Sequence, residues 1–125
     1  MSEFLLDTNV LSKVFKGDAM VTQFVESLEA MIDATIYIEC LQGSKSNHEK
    51  QVIEKYLRKF TLLPLTPQSS AKAIELFRNY SNSFGLLLPD ALIAASALEN
   101  DLTVVSYNPN DFKFIGGLKT LKPPV

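Results

Sequence analysis

Four carboxylates in this 125-residue chain stand in or at the end of short apolar runs or the loop that follows one. Asp7 closes Phe4-Leu5-Leu6, Glu39 interrupts Ile36-Tyr37-Ile38-Glu39-Cys40-Leu41, Asp90 follows Leu86-Leu87-Leu88-Pro89, and Asp111 lies in the loop after Thr103-Val104-Val105. Apolar runs are what a chain buries, and an unpaired carboxylate taken out of water is costly. A chain that gathers several must raise their pKa values or neutralise them with cations. Oxygen ligands without histidine or cysteine partners suit Mg²⁺ or Mn²⁺ better than zinc. Such a cation lowers the pKa of a bound water and stabilises charge developing on a phosphate, so the expected chemistry is phosphodiester hydrolysis.

The elements carrying the acids must end at one edge for this to work. A first strand is expected over Glu3 to Leu6, then a helix from about Val10, capped by Thr8 or Asn9 and ended by Gly17-Asp18. A second helix, Ala19 to Leu28, puts Met20, Phe24 and Leu28 on one face. Ala30 to Thr35 reads as a strand interrupted by Asp33, and the helix after it carries Glu39 in its first turn and runs to Gly43. After a polar loop, Ser44 to His48, the amphipathic pattern of Val52, Ile53, Tyr56, Leu57 and Phe60 predicts a helix over Glu49 to Phe60. Thr61 to Leu65 is a short strand, and Thr66-Pro67 starts a helix that carries Ile74, Phe77 and Tyr80 and ends near Asn82. Pro89 opens a helix over Asp90 to Glu99 that is apolar nearly all round and belongs in the core. Val104-Val105 is a further strand, and Lys119 to Leu121 an edge strand stopped by Pro123-Pro124. Alternating strands and helices imply an α/β fold, a three-layer α/β/α sandwich around a mainly parallel sheet. In such sheets ligands bind at the carboxyl ends of the strands, where all four acids map. Partial positive charge at helix N-termini is expected to help keep Glu39 and Asp90 ionised.

Composition narrows the class. Residues 1–125 are the length of one ordinary domain, and 46% hydrophobic with 21% charged residues is globular composition. The single cysteine, Cys40, cannot form an internal disulfide and fits a reducing, cytoplasmic setting. Met1-Ser2-Glu3 lacks a signal-peptide pattern, and no apolar run reaches bilayer length. A net charge of −2 argues against coating nucleic acid by bulk electrostatics, though not against a nuclease whose cation sits in the site. Arg58 and Arg78 are the only guanidinium groups.

Each acid also has an ordinary reading. Asp7 can be a helix cap, Asp90 a first-turn acid and Asp111 part of an Asn108-Pro109-Asn110-Asp111 turn. Glu39 is harder to dismiss, with no basic residue near it in sequence. Their common edge favours a site. His48 reads as a solvated surface residue and Cys40 as core. Lys50, Lys55, Arg58 and Lys59 read as a solvated helix face, whereas Lys13 and Lys16, near Asp7, are the better candidates for holding substrate phosphates.

With Leu5-Leu6-Asp7-Thr8-Asn9-Val10-Leu11-Ser12, Glu39-Cys40-Leu41-Gln42-Gly43, Leu88-Pro89-Asp90-Ala91-Leu92-Ile93-Ala94-Ala95-Ser96-Ala97 and Val104 to Phe112 in this order, the chain resembles the PIN-domain ribonucleases, most closely VapC-type toxins of toxin–antitoxin pairs. The resemblance implies Asp7, Glu39 and Asp90 as the central metal-binding and catalytic acids. Asp111 and Asn108 follow from the last motif, and Thr8 and Asn9 join Asn108, Lys13 and Lys16 as substrate contacts. It further implies Mg²⁺ or Mn²⁺, a tRNA or rRNA substrate, a cognate antitoxin and a homodimer. Two departures stand out: Ser106-Tyr107 replaces the usual threonine and basic residue, and Asn108 is neutral. Two other readings remain open here. A phospho-receiver-like domain would want paired acids after the first strand and a lysine after the last. A catalytically weak PIN-like binding module would use the acidic pocket for a basic partner.

Overall fold

Short runs of leucine, isoleucine and valine fold as strands because a parallel sheet covered by helices buries both faces of each strand. A computed structural model describes residues 3–125; Met1 and Ser2 lie outside the described residues. Five strands form one wholly parallel sheet: β1 (Phe4–Leu6), β2 (Ala30–Asp33), β3 (Thr61–Leu63), β4 (Thr103–Val105) and β5 (Lys119–Leu121), in the order β3-β2-β1-β4-β5. The helices are α1 (Thr8–Phe15), α2 (Ala19–Glu26), α3 (Ala34–Gln42), α4 (Asn47–Leu57), α5 (Pro67–Phe84) and α6 (Leu88–Glu99). Helices α1 to α4 connect strands stepping one way from β1, and α5 and α6 serve the return from β3 to β4. Right-handed crossovers therefore place the two groups on opposite faces, as the α/β/α expectation requires. The order reverses at β1, so Asp7 stands at the switch point where open α/β sheets bind ligands.

The centre of the core matches the pattern of apolar residues. In α6, Ala91, Ile93, Ala94, Ala95 and Ala97 are buried, beside Leu5, Leu6, Ile32, Val104 and Val105 of the strands. Cys40 is buried and His48 exposed, as expected. Among the described residues, no helix is long and apolar enough to cross a membrane.

Helix phases and ends depart from expectation. In α2 it is Val21 and Val25 that point inward, while Met20 is exposed, because residues 20, 21, 24, 25 and 28 form a stripe too broad for periodicity to centre. In α5 the small residues Ser69 and Ala73, with Leu76, face α6, leaving Ile74 and Phe77 exposed along a groove with Leu88 and Leu92. Close helix packing selects small side chains at the contact, so the large ones flank it. Val52 of α4 is likewise exposed, and Phe60 lies beyond that helix. Ser46 caps α4, two residues earlier than an Asn47 or His48 loop would allow. Helix α5 runs on to Phe84 because Gly85, at φ 70°, supplies the left-handed residue that ends it. Helix α6 begins at Leu88 rather than Asp90, β1 at Phe4, and β3 stops at Leu63.

Asp33 does not interrupt β2; it ends the strand and caps α3. Its Oδ1 accepts from the Ile36 N–H at 2.9 Å and its Oδ2 from the Ser96 hydroxyl of α6 at 2.8 Å. The side chain is fully buried; burial raises its pKa, and these bonds act against the rise. One carboxylate thus ties the start of α3, which carries Glu39, to α6, which carries Asp90. Removing the Ser96 hydroxyl would leave a buried acceptor without its partner. Ser96→Ala is expected to cost about 1–3 kcal/mol in urea unfolding, whereas the exposed Ser70→Ala should change stability by less than about 0.5 kcal/mol. Equal effects from the two would refute the role assigned to this bridge.

Candidate active site

The register of β1 on β4 sets Leu6 opposite Val105, so the next residues, Asp7 and Ser106, emerge side by side at the carboxyl edge. Asp7 is buried, its Oδ1 accepting from the Thr8 N–H at 2.8 Å and its Oδ2 from the Ser106 hydroxyl at 2.8 Å. The aspartate, not Thr8 or Asn9, is therefore the cap of α1, and its capping and site readings coexist. Ser106, fully buried, also accepts from Asn9 Nδ2 at 3.1 Å and from the Asn108 N–H at 3.0 Å. Asn9 Oδ1 accepts from the Tyr107 N–H at 3.1 Å, completing a network that fixes α1 against the segment after β4.

Glu39 is half-buried in the second turn of α3, not the first, and its Oε1 accepts from the Thr8 hydroxyl at 2.7 Å. Asp90 is half-buried in the first turn of α6. Asp111, exposed, ends the short 3-10 turn Pro109–Asp111, with Asn108 exposed just before it. Lys13 lies one helical turn beyond Asn9, its ammonium 4.0 Å from the Tyr107 ring centroid. Lys16 shares a small cavity with Glu39, Ser12, Phe15 and Lys45.

Charge unites the four acids. Burial chiefly, then the charges of Asp7, Asp111 and Glu39, push the Asp90 carboxyl up to about 7. Burial also raises Asp7, opposed by the Ser106 and Thr8 hydrogen bonds and reinforced by Glu39 and Asp111. The expected help from the helix dipole is outweighed at Asp90. Among the described residues no lysine or arginine pairs with any of the four, and no three Asp, Glu, His or Cys side chains form a ready-made ligand set. An all-oxygen donor set in an uncompensated negative field fits a hard divalent cation. Cys40, by contrast, is raised to about 12 by burial and nearby acids and has no role as a nucleophile.

Two residues beyond the sequence candidates support the site: Ser106 behind Asp7, and Asp33 between α3 and α6. A polar residue directly after a buried valine pair, next to the strand that ends in Asp7, was the available signal for the first.

The Asp90 shift has a definite sign. With a folded pKa raised from 3.8 to about 7, this group favours folding most below its unfolded value, and that contribution is lost as pH rises through 7. Carboxyl-carbon NMR of metal-free protein should place its midpoint near 7 and lower in Asp7→Asn, and Asp90→Asn should raise the melting temperature at about pH 8 but not at about pH 4. A parent midpoint near 4 would contradict the coupling.

Comparison with known proteins identifies the family. A model of the PIN domain matches residues 4–118. The chain is similar to Ribonuclease VapC1 of Rickettsia felis, 26% identical over 125 aligned residues covering 94% of this chain and 93% of that protein. A solved toxin–antitoxin complex from Klebsiella pneumoniae superposes with a TM-score of 0.78 at 27% identity, over 93% of this chain and 95% of that one. The structure of VapBC2 from Rickettsia felis bound to a DNA fragment from its promoter shares the fold, with a TM-score of 0.82 at 23% identity over 96% and 98% of the two chains. The matched span runs from β1 to just before β5 and includes all four acids and Ser106; the chain belongs to the PIN-domain family.

Proposed function

We propose that the protein is a metal-dependent endoribonuclease and the toxin of a toxin–antitoxin pair. The observation that carries this reading is the placement of Asp7, Glu39, Asp90 and Asp111 around the sheet's switch point, with the charges of the other three reaching Asp90 and, among the described residues, no lysine or arginine paired with any of them. Family membership and the likeness to a ribonuclease support it. A lone Asp7 after β1 and Ser106-Tyr107 after β4 do not supply the acid pair and lysine of a phospho-receiver.

Asp7, Glu39 and Asp90 are the residues that would hold Mg²⁺ or Mn²⁺, with Asp111 completing the set. When bound, the cation would lower the pKa of an attacking water and offset the negative charge developing on phosphate and leaving oxygen. The chain's own part is orientation. Ser106 and the Thr8 N–H fix the Asp7 carboxylate, and the Thr8 hydroxyl fixes Glu39. Asn9 and Asn108 join the Ser106 network beside Asp7, and Lys16 lines a cavity with Glu39; with Lys13, one turn beyond Asn9, these are the proposed contacts for the RNA strand. Hydrolysis would leave a 5′-phosphate and a 3′-hydroxyl.

Single-stranded loops of tRNA or rRNA are the proposed targets, since splayed bases are what sequence-specific RNA recognition reads. The relatives include toxin–antitoxin complexes, which supports a cognate antitoxin shielding the acids. The apolar groove between α5 and α6 supports self-association as a homodimer, and the cytoplasm is the proposed setting.

Antitoxin-free protein should cut total cellular RNA into discrete fragments bearing 5′-phosphates, only with Mg²⁺ or Mn²⁺ and not with EDTA. Asp7→Asn should lower the rate by at least about 100-fold, the most that loss of a metal's outer partners usually costs. RNA left intact by folded parent protein under every condition would favour a binding module instead.

A further inference from the structure

Lys13 is an exposed lysine whose ammonium lies over an aromatic ring. It lies four residues after Asn9 on α1, and residues so spaced share a helix face one turn apart, about 5.4 Å along the axis. That face is seated on the segment after β4 by both ends of the Asn9 amide, bonded to the Ser106 hydroxyl and the Tyr107 N–H. Tyr107 is itself held at two points. Its backbone N–H donates to Asn9 at 3.1 Å, and its hydroxyl donates to the Val125 carbonyl at 3.2 Å. The ring spans the space between, with Lys13 Nζ 4.0 Å from its centroid. Among the described residues Lys13 forms no ion pair, so its charge is oriented by a ring face, which attracts a cation without neutralising it.

From this geometry we infer that Tyr107 is a positioning residue for Lys13, and that the Lys13 ammonium held on its ring is the contact for an RNA phosphate adjoining the one at the acids. The inference rests on the nuclease reading for its substrate, but the stacked cation stands on the structure alone. A strand of phosphates approaching Asp7, Glu39, Asp90 and Asp111 meets net repulsion. One cation fixed a turn away from Asn9 draws the strand to the site and sets its direction along α1. A solvated lysine on a free tether would do the first but not the second. Tyr107 therefore acts through Lys13 and touches no reacting atom.

The test uses the full chain in EDTA, with a fluorescein-labelled single-stranded oligoribonucleotide as probe, anisotropy as readout and salt as variable. Lys13→Ala should weaken binding and reduce the slope of log K against log salt by about 0.7, the value for one phosphate contact to a single strand. Tyr107→Leu should weaken binding about two- to fivefold, as loss of a surface cation–π pair would, and should add nothing in the Lys13→Ala background. Tyr107→Phe, which keeps the ring and its backbone anchor to Asn9 but loses the hydroxyl bond, should recover most of the binding that Tyr107→Leu loses. Proton NMR reads the stack independently: the Lys13 side-chain methylenes should be shifted upfield by the ring in the parent and Tyr107→Phe, and not in Tyr107→Leu. With metal added, Lys13→Ala and Tyr107→Leu should raise KM while leaving kcat nearly unchanged.

Additive losses from Lys13→Ala and Tyr107→Leu, an unchanged salt slope, or absence of the upfield shift would each overturn the assignment. Loss of the proposed nuclease function would look different: binding and its Lys13 dependence intact, with no cleavage in any metal.

Discussion

Like charges brought together in a half-dry place are the constraint on which this structure turns. Four carboxylates lie within electrostatic reach of one another around the edge where β1, β4, α3 and α6 converge, and burial together with the charges of Asp7, Asp111 and Glu39 pushes Asp90 up to about 7. Water alone does not screen them enough, and no protein cation among the described residues pairs with them. The fold must hold them against their own repulsion. A divalent cation turns that same repulsion into affinity, which gives the arrangement a use rather than merely a cost.

Two buried polar bridges supply the holding force. Ser106 joins Asp7, Asn9 and the Asn108 backbone, so the end of β1, the start of α1 and the segment after β4 share one hydrogen-bond network. Asp33 joins α3 to α6 through Ser96, fixing the two helices that deliver Glu39 and Asp90. Satisfied hydrogen bonds in a dry interior are directional where apolar packing is not. The residues that give that direction to the acids lie behind them rather than among them. The stack of Lys13 on Tyr107 extends the same logic to the rim, where a ring rather than a hydrogen bond does the orienting.

Much of this was readable from the chain because it depends on local pattern. Apolar runs closed by Asp7 and followed by helical stretches announced a parallel α/β sheet, and the acids fell at strand ends because that is where such a sheet leaves polar residues room. Helix phase was less legible. The stripes of α2 and α5 are broad, and only packing against α1 and α6 decides that Val21 and Ala73, not Met20 and Ile74, go inward. The bridges were least legible of all. Ser106 reaches a partner 99 residues away and Ser96 one 63 residues away, and nothing within either short motif hints at a partner so distant. Asp33 looked like a flaw in a strand because its compensation lies on another helix.

The most direct measurement is anomalous diffraction from crystals grown with Mn²⁺. The account predicts a peak bounded by the carboxylates of Asp7, Glu39 and Asp90, at Mn–O distances of about 2.2 Å, close to those of other hard divalent ions, with Asp111 drawn toward it. Ordered carboxylates at this edge with no Mn²⁺ between them, or Mn²⁺ bound only elsewhere on the surface, would contradict it.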